Sequence, residues 1–280
     1  NSGSIVGGTN NRNHISGVKL TAGSSIQNFT NSGFVYGSRG VLLPSGSSIT
    51  NFNNSGTLKG STAGLETSGT ISTFTNNGLI NSPGGSRWNN GIWMGSTKIQ
   101  TFTNNGTIKG DSGIVLEALA TIDNFTNKGT IEAIGAHGIA GSISFLTIYG
   151  SSSYIKTFTN EGVLKSNSQG IVAETGNKID TLINKGTIEA SSNGLTFFDE
   201  GSSSGSKVDI GSIILEEGSS IKAGNNGINL NGTSNKPITV SGSIEVKEDA
   251  SVSGSNAGIV IGSGKKVNAQ IKISGSVTGG

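Results

Sequence analysis

Two glutamates occupy positions from which they could act together as a catalytic pair. Glu132 and Glu189 hold the same place in two similar segments of the chain, and Lys165 holds that place in the segment between them. If the segments stack, the two carboxylates come near the roughly 5 to 9.5 Å separation that glycosidases use. Because Lys165 would lie between them, we expect it to neutralise both. The pair keeps a polysaccharide lyase or glycosidase open as an alternative.

Other catalytic and metal-binding signals are weak. Residues 201–205 fit the Gly-x-Ser-x-Gly nucleophile pattern, but they lie in low-complexity sequence without the strand-to-helix turn that exposes such a serine. His14 and His137 are too far apart in the sequence to suggest a metal pair. Cysteine is absent, which excludes a disulfide framework and thiolate ligands. We therefore expect no metal and no cofactor.

Aromatic and charged residues outside the regular pattern are the candidate binding groups. Arg87, Trp88 and Trp93 form the tryptophan cluster of the sequence, and Trp, Tyr and Arg dominate binding hot spots. The structural interpretation, which the sequence favours, is that Trp93 fills the Gly-apolar strand and Trp88 covers it. The other candidates lie in irregular segments: Phe145, Tyr149, Tyr154, Phe198, Asp199 and Lys236.

A repeat determines the elements that must position these residues. The phrase Phe-x-Asn-x-Gly-x-aliphatic returns every 22 to 33 residues. It begins at Phe29, Phe52, Phe74, Phe102, Phe125 and Phe158, degrades at Leu182, and has weaker copies anchored at Leu215, Val246 and Ile271. Such self-similarity indicates units that bury their apolar faces by stacking on their neighbours. The sequence predicts a solenoid, and we assign residues 1–280 to a single domain.

Each repeat contains three short strand candidates. In one repeat these are residues 107–109, 113–116 and 122–126, which alternate polar and apolar side chains between Gly and Asn corners. The second candidate has its own Gly-apolar recurrence, at Gly17, Gly40, Gly64, Gly91, Gly113, Gly138, Gly170, Gly194, Gly227 and Gly258. This pattern predicts an all-β protein, a right-handed parallel β-helix of roughly ten three-stranded coils and about 48 Å long.

Stacked coils place like residues in columns. The phenylalanines of the phrase form one predicted interior stack, and a second holds Val35, Leu58, Ile80, Ile108, Ile131, Leu164 and Ile188. The asparagines before the glycine are predicted to form an amide ladder: Asn31, Asn54, Asn76, Asn104, Asn127, Asn160 and Asn184. Ile122 and Phe125 are three residues apart, so burying both requires a bend near Asn124.

The outside of the coils carries one charge pattern and four departures from the repeat. Residues at one outward position alternate in sign: Lys109, Glu132, Lys165, Glu189 and Lys222. The departures are residues 78–91, 141–155, 198–212 and 231–239. The last three follow the Gly-apolar strand and are predicted to project from one edge of the rod. Because loops on a rigid scaffold carry binding groups, we expect them to form one contact surface.

Composition excludes two classes of partner. Charged residues are 13% of the chain, the net charge is +2, and the lysines and arginines are scattered, so the footprint of a nucleic-acid-binding protein is missing. No apolar run approaches the roughly 18 residues of a membrane helix. The first residues do not read as a signal peptide, and both ends are repeat-like, so we expect the chain to be an excised fragment.

The segments Phe-Thr-Asn-Asn-Gly-Thr-Ile at 102–108 and Phe-Thr-Asn-Lys-Gly-Thr-Ile at 125–131 carry a family resemblance. In a cysteine-free chain rich in Gly, Ser and Asn, they resemble the passenger domains of Gram-negative autotransporters (type V secretion), in particular vacuolating-cytotoxin-like passengers and related adhesins. The resemblance covers residues 26–190 best. It implies display on the outer membrane or secretion, by way of a C-terminal membrane barrel absent from this sequence. No catalytic residue of the family can be carried over.

The function expected from these observations is binding without catalysis. We expect an adhesin that contacts host cells, extracellular matrix or glycans through loops projecting from a β-helix stalk. Self-association through unpaired terminal coils is a further expectation. The alternatives are a toxin-like passenger and, with less support, the polysaccharide lyase or glycosidase.

Overall fold

Each short alternation of polar and apolar residues forms a strand. The structure, a computed structural model, describes residues 1–8, 15–83, 89–117, 119–135, 144–149, 152–174, 176–197, 208–230, 238–262, 267 and 269–280; within 144–149, Ile148 alone has a described side chain. These described residues form thirty strands, numbered β1 to β30 in chain order, and no helix.

The strands stack in three parallel ladders. The first ladder contains β3 (Ser25–Asn31), β5 (Ser48–Asn54), β7 (Thr70–Asn76), β10 (Lys98–Asn104), β13 (Thr121–Asn127), β16 (Tyr154–Asn160), β19 (Lys178–Asn184), β22 (Val208–Leu215), β26 (Ser243–Val246) and β29 (Gln270–Ile273), with β25 (Ile238–Val240) paired to the start of β22. The second contains β1 (Ser4–Val6), β8 (Leu79–Asn81), β11 (Thr107–Gly110), β14 (Thr130–Ala133), β17 (Val163–Ser166), β20 (Thr187–Ala190), β23 (Ser220–Ala223), β27 (Ser251–Gly254) and β30 (Ser276–Gly279). The third contains β2 (Ser16–Lys19), β9 (Asn90–Met94), β12 (Ser112–Glu117), β15 (Ser144–Tyr149), β18 (Gln169–Ala173), β21 (Leu195–Phe197), β24 (Asn226–Leu230) and β28 (Ala257–Ile261). Two long strands, β4 (Phe34–Leu43) and β6 (Thr57–Thr67), run through both the second and the third ladder.

The pairing stacks each residue on its equivalent in the next coil. In the first ladder Ile99 pairs with Ile122, Phe102 with Phe125 and Asn104 with Asn127. Every pairing between these strands is parallel, and successive coils add to all three ladders. The predicted all-β parallel β-helix is confirmed.

Two apolar stacks fill the interior. Five phenylalanines of the repeat are at most 1% exposed, and their ring centroids lie 4.4 to 5.0 Å apart from coil to coil. The rings stack face to face from Phe52 to Phe102 and turn edge-on between Phe125 and Phe158. All seven residues of the predicted aliphatic stack, from Val35 to Ile188, are 0% exposed. Both predicted stacks are confirmed.

The bend predicted near Asn124 is present. Ile122 and Phe125 are both buried, whereas Asp123 and Asn124 between them face outward. The pairing with the previous coil continues at Asn124 after leaving out Asp123. The same in-out-out-in pattern buries two apolar residues three positions apart in β5, β7, β10, β16, β19 and β22.

The corner between the first and second ladders holds the predicted asparagine ladder. Each Asn Nδ2 donates to the Oδ1 of the asparagine one coil further on at 2.8 Å, from Asn31 to Asn184, and all seven side chains are 0% exposed. The glycine two residues later is needed because the coils approach closely: a Cβ at Gly106 would lie 2.1 Å from the carbonyl oxygen of Gly78. The ladder is confirmed as part of the interior.

Two of the weaker repeat anchors were assigned to the wrong column. Ile213 pairs with Leu182 of the phenylalanine column, while Leu215 pairs with Asn184. Val246 in turn pairs with Leu215, so Leu215 and Val246 continue the asparagine column. A shift of two residues keeps the same side chains inward, which is why the apolar pattern alone does not decide the register. Ile271 does continue the phenylalanine column, through Ile244.

The Gly-apolar strand predicted at Gly138 lies elsewhere. Residue 138 is outside the described residues, and β15 supplies the third-ladder strand of that coil, with Leu146 paired to Ile114 and Ile171. Four of the residues 145–149 (Phe, Leu, Thr, Ile and Tyr) are β-branched or aromatic, which favours a strand. Segment 141–155 is therefore not an insertion as predicted, since most of it forms β15 and the start of β16.

The long connections lie at two corners rather than along one edge. Residues 82–89 and 134–143 lead from the second ladder into β9 and β15, whereas 198–207 and 231–237 leave the third ladder after β21 and β24. The segments predicted as 198–212 and 231–239 are thus shorter, because residues 208–212 belong to β22 and 238–239 to β25. A strand of the third ladder stands at one end of each of these four connections: β9, β15, β21 and β24.

Candidate binding surface on the third ladder

The residues that follow the Gly-apolar pair of each third-ladder strand form one column, which we call the third-ladder face. Its register is set by strand pairing, and the column consists of Lys19, Leu42, Glu66, Trp93, Val115, Thr147, Val172, Thr196, Asn229 and Val260. Thr147 is placed by its backbone alone, and Val115, Val172 and Thr196 are at most 5% exposed, so the accessible part of the column is Lys19, Leu42, Glu66 and Trp93 at one end and Asn229 and Val260 at the other. Each member follows the Gly-apolar pair of its strand by one residue, except Thr147, which follows Phe145-Leu146. Because a strand alternates its faces, the residue after the buried aliphatic one points outward.

Trp93 lies on this outer face. Its neighbours Ile92 and Met94 are 0% exposed and fill the interior, while Trp93 is half-buried. Trp93 thus lies in the Gly-apolar strand, as one interpretation predicted, but on the outer side of that strand, and Trp88, which was predicted to cover it, lies outside the described residues. The indole lies over Gly95, where a Cβ would come within 2.9 Å of the ring atom Cη2. Its Nε1 donates to Oε2 of Glu117, on the next coil, at 2.9 Å.

An ion pair lies beside the indole on the preceding coils. Glu66 is the register partner of Trp93, and its carboxylate binds Nε of Arg39. The side chains of Arg39 and Glu66 are 14% and 21% exposed, so water screens this pair less than a surface pair. Together these residues and their neighbours line a shallow pocket of about 280 Å³, which we call the Trp93 pocket: Arg39, Thr62, Ala63, Glu66, Asn90 and Trp93.

The Trp93 pocket combines an apolar wall with charged hydrogen-bonding groups. One guanidinium and one carboxylate belong to its wall, and the Glu117 carboxylate adjoins it through the indole hydrogen bond. A carboxylate has about four acceptor positions, so a single contact leaves both glutamates able to accept further hydrogen bonds. An aromatic surface with a few converging polar groups is the usual composition of a small-ligand site.

Tyr154 belongs to a different cluster, on the outer face of the first ladder. Its hydroxyl donates to Asp180, which also forms an ion pair with Lys178 at 2.8 Å. The hydrogen bond from the Tyr154 hydroxyl to Asp180 raises the pKa of Tyr154. The separate hydrogen bond between Lys178 and Asp180 raises the pKa of Lys178. Burial alone raises the pKa of Asp180, but hydrogen bonds from Lys178 and Tyr154 outweigh it, so the pKa lies below its ordinary value. The polar groups of Tyr154, Lys178 and Asp180 therefore have their partners within the cluster.

The alternating charge row lies on the second ladder, in the register predicted. Lys109 and Glu132 form an ion pair at 2.8 Å, and Lys165 lies between Glu132 and Glu189 in register. A shallow groove of about 440 Å³ runs past Lys165, Glu189 and Lys222. Its charged groups alternate in sign along the row.

Several sequence-predicted binding residues cannot be assigned to a surface. Arg87, Trp88, Phe198, Asp199 and Lys236 lie outside the described residues. Phe145 and Tyr149 are placed by their backbone in β15, where Tyr149 is the register partner of Glu117. Of the predicted candidates, the structure therefore brings Tyr149 to the coil next to the Trp93–Glu117 contact and places Tyr154 on another face.

Sequence reasoning missed Arg39, Glu66 and Glu117. Each belongs to a different coil, and none lies in an irregular segment. A signal was available, because Glu66 and Trp93 both stand two residues after a recurring glycine, Gly64 and Gly91. Aligning the chain on those glycines places the glutamate beside the tryptophan.

The described residues contain no group of three or more His, Asp or Glu side chains arranged as metal ligands. Nor does the described part of the chain form a helix with the length and apolar character needed to cross a bilayer. Comparison of the chain with protein-family models, curated proteins and solved structures finds no match.

Proposed function

We propose that this chain is a non-enzymatic binding protein, an adhesin of the autotransporter-passenger type, displayed at a bacterial surface or secreted. It binds host cells, matrix or glycans through the third-ladder face. One observation carries the proposal: the Trp93 pocket lies on the third ladder, whose strands β9, β15, β21 and β24 stand at the ends of four long connections.

The fold is consistent with a rigid scaffold that carries its binding surface on one ladder. The corner between the first and second ladders is stacked so closely that a Cβ at Gly106 has no room, and it is locked by the buried amide ladder. Length variation is concentrated at the two ends of the third ladder. A rigid solenoid with variable segments beside one face is a common arrangement for binding extended partners.

The alternatives gain no specific support from the described residues. For a glycosidase, Glu132 and Glu189 stand two coils apart, but Lys109 binds Glu132 and Lys165 lies between the two glutamates. The toxin alternative rested on the family resemblance, and the described residues add no observation that favours it.

Adhesion assays test the proposal. The chain, coupled to beads, is measured for binding to epithelial cells and to immobilised collagen, laminin and mucin. Trp93→Ala should weaken binding roughly tenfold or more, as truncation of a hot-spot tryptophan does. Phe34→Ala is the matched control, because Phe34 is an exposed aromatic residue of the second ladder, 36% exposed.

Two outcomes contradict the proposal. Equal binding by Trp93→Ala and the wild type would remove the third-ladder face as the contact surface. Reproducible cleavage of neutral or uronate polysaccharides by the wild type, lost in Glu132→Gln or Glu189→Gln, would assign catalysis to the second ladder instead.

A further inference from the structure

We propose that the Trp93 pocket binds an uncharged pyranose unit of a glycan and discriminates against acidic sugars. This inference rests on the proposed function and names its ligand class. It is carried by three groups on successive coils: Glu66, its register partner Trp93, and Glu117.

The shape and polarity of these groups fit a pyranose. A sugar ring has one face of C–H groups and a rim of hydroxyls. The face of an indole is negatively polarised and attracts such C–H groups. Glu66 and Glu117 lie on either side of the indole along the stacking direction, one coil before and one coil after it. Their carboxylates are therefore placed to accept hydrogen bonds from hydroxyls at the rim of a stacked ring.

The indole is held in one orientation before a ligand arrives. Its ring lies over Gly95, and its Nε1 is fixed by the hydrogen bond to Glu117 at 2.9 Å. A tryptophan has two side-chain torsions, and both are restrained by these contacts. Little conformational entropy remains to be lost on binding, which favours even a small ligand.

The charge balance sets the discrimination. Arg39 neutralises Glu66 through their ion pair, whereas the partner of Glu117 is the neutral indole. Among the described residues, one positive and two negative groups leave the site with an excess of negative charge. A carboxylate or sulfate on the sugar would lie against Glu117 and be repelled. The same negative charge would favour a cationic ligand such as choline, which also suits an aromatic surface, so choline is the competing ligand class that the test includes.

Saturation-transfer NMR on the full chain tests the inference. The probes are four neutral disaccharides (lactose, maltose, cellobiose and N,N′-diacetylchitobiose), with 3′-sialyllactose as the acidic counterpart of lactose and choline chloride as the cation. At least one neutral disaccharide should receive saturation from the protein. Trp93→Ala should abolish the signal, while Phe34→Ala should keep it. If lactose binds, 3′-sialyllactose should bind roughly tenfold more weakly.

Glu117→Gln separates charge from packing. Glutamine retains a carbonyl that accepts the indole hydrogen bond but carries no charge. In this variant the difference in affinity between lactose and 3′-sialyllactose should become smaller. Glu189→Gln, the same change on the second ladder, should leave the ratio of the two affinities unchanged. If the neutral sugar that binds is not lactose, the acidic probe is changed to match it. The uronate counterpart of that sugar then replaces 3′-sialyllactose.

The outcomes distinguish this inference from the proposed function. Stronger binding of choline or of the acidic sugar by the wild type overturns it, and so does saturation transfer that survives Trp93→Ala. Absence of any sugar signal, with cell or matrix binding that still depends on Trp93, overturns the ligand class and leaves the proposed function standing. Absence of both overturns both.

Discussion

The Nδ2 of Asn104 donates to the Oδ1 of Asn127 on the next coil at 2.8 Å, and neither side chain is exposed. Asn104 also accepts from Asn76 and donates to the carbonyls of Gly106 and Thr130. It therefore joins its own coil to the coils before and after it, and it also binds the carbonyl at its own corner. A buried amide that satisfies donors and acceptors in both directions leaves several groups unpaired when it is removed.

Asn104→Ala should therefore destabilise the protein by about 1 to 3 kcal/mol. The Oδ1 of Asn127 would lose its donor, and the Nδ2 of Asn76 would lose one of its three acceptors, both inside the rod. The free energy of unfolding, measured by urea denaturation, checks this. Asn105→Ala is the control, because Asn105 is the exposed neighbour and should change the stability by no more than about 0.5 kcal/mol. Equal effects of the two substitutions would show that the ladder contributes nothing.

Phe102→Ala should cost about 3 to 5 kcal/mol of unfolding free energy. The ring of Phe102 lies 4.4 Å from the rings of both Phe74 and Phe125 and is 0% exposed, so its loss opens a cavity that the stacked backbones cannot close. The same denaturation experiment on Phe34→Ala should show a change of about 0.5 kcal/mol or less. A loss under about 1 kcal/mol for Phe102→Ala would mean that the stack is not packed as described.

Gly106→Ala should destabilise the protein by about 3 kcal/mol or more, because the added Cβ meets a backbone atom that cannot rotate away. The nearest atom, the carbonyl oxygen of Gly78, would lie 2.1 Å from it. Gly3→Ala provides the comparison, since the nearest atom there is 4.0 Å away. Wild-type stability in Gly106→Ala would contradict the close stacking at this corner.

The Tyr154 hydroxyl should ionise at lower pH in Asp180→Asn than in the wild type. The hydrogen bond to the carboxylate favours the protonated phenol and raises its pKa, so removing the negative charge lowers it. The raised pKa values of Tyr154 and Lys178 give stability that is present below their unfolded values and is lost as the pH rises through the folded values. The lowered pKa of Asp180 gives stability that is present above its unfolded value and is lost as the pH falls through the folded one. Ultraviolet difference titration of the phenol checks the first point, and superimposable curves would refute it.

Much of the fold could be predicted because its interior repeats chemically distinctive residues. Phenylalanine, asparagine and glycine return in fixed order, so the column of Phe102 and the ladder of Asn104 follow from the spacing alone. Where the repeat degrades to aliphatic residues, this information is lost. Ile213 and Leu215 are both fully buried and two positions apart, so either fits the column, and the hydrogen-bond register had to decide.

The candidate site was predictable only in part. Trp93 stands out by its residue type, but its position on the outer face depends on where the glycine before it falls in the coil. Arg39, Glu66 and Glu117 are ordinary charged residues in regular strands, and they come together because the helix brings positions about one coil apart into contact. Such contacts follow from the register of the strands in neighbouring coils. A single sequence predicts this register only after its recurring glycines are aligned.

The most direct test of the account is to block each outer face separately. The chain has no cysteine, so single substitutions Leu42→Cys, Thr103→Cys and Thr107→Cys allow a maleimide-linked polyethylene glycol to be attached to the third, first or second ladder. All three side chains are half-buried on the outside of the coil, and circular dichroism checks that each conjugate keeps its β-structure. The conjugate at Leu42 should lose binding to cells and matrix, whereas those at Thr103 and Thr107 should keep it. Loss of binding on blocking the first or second ladder, with the Leu42 conjugate still active, would contradict the assignment of the third-ladder face.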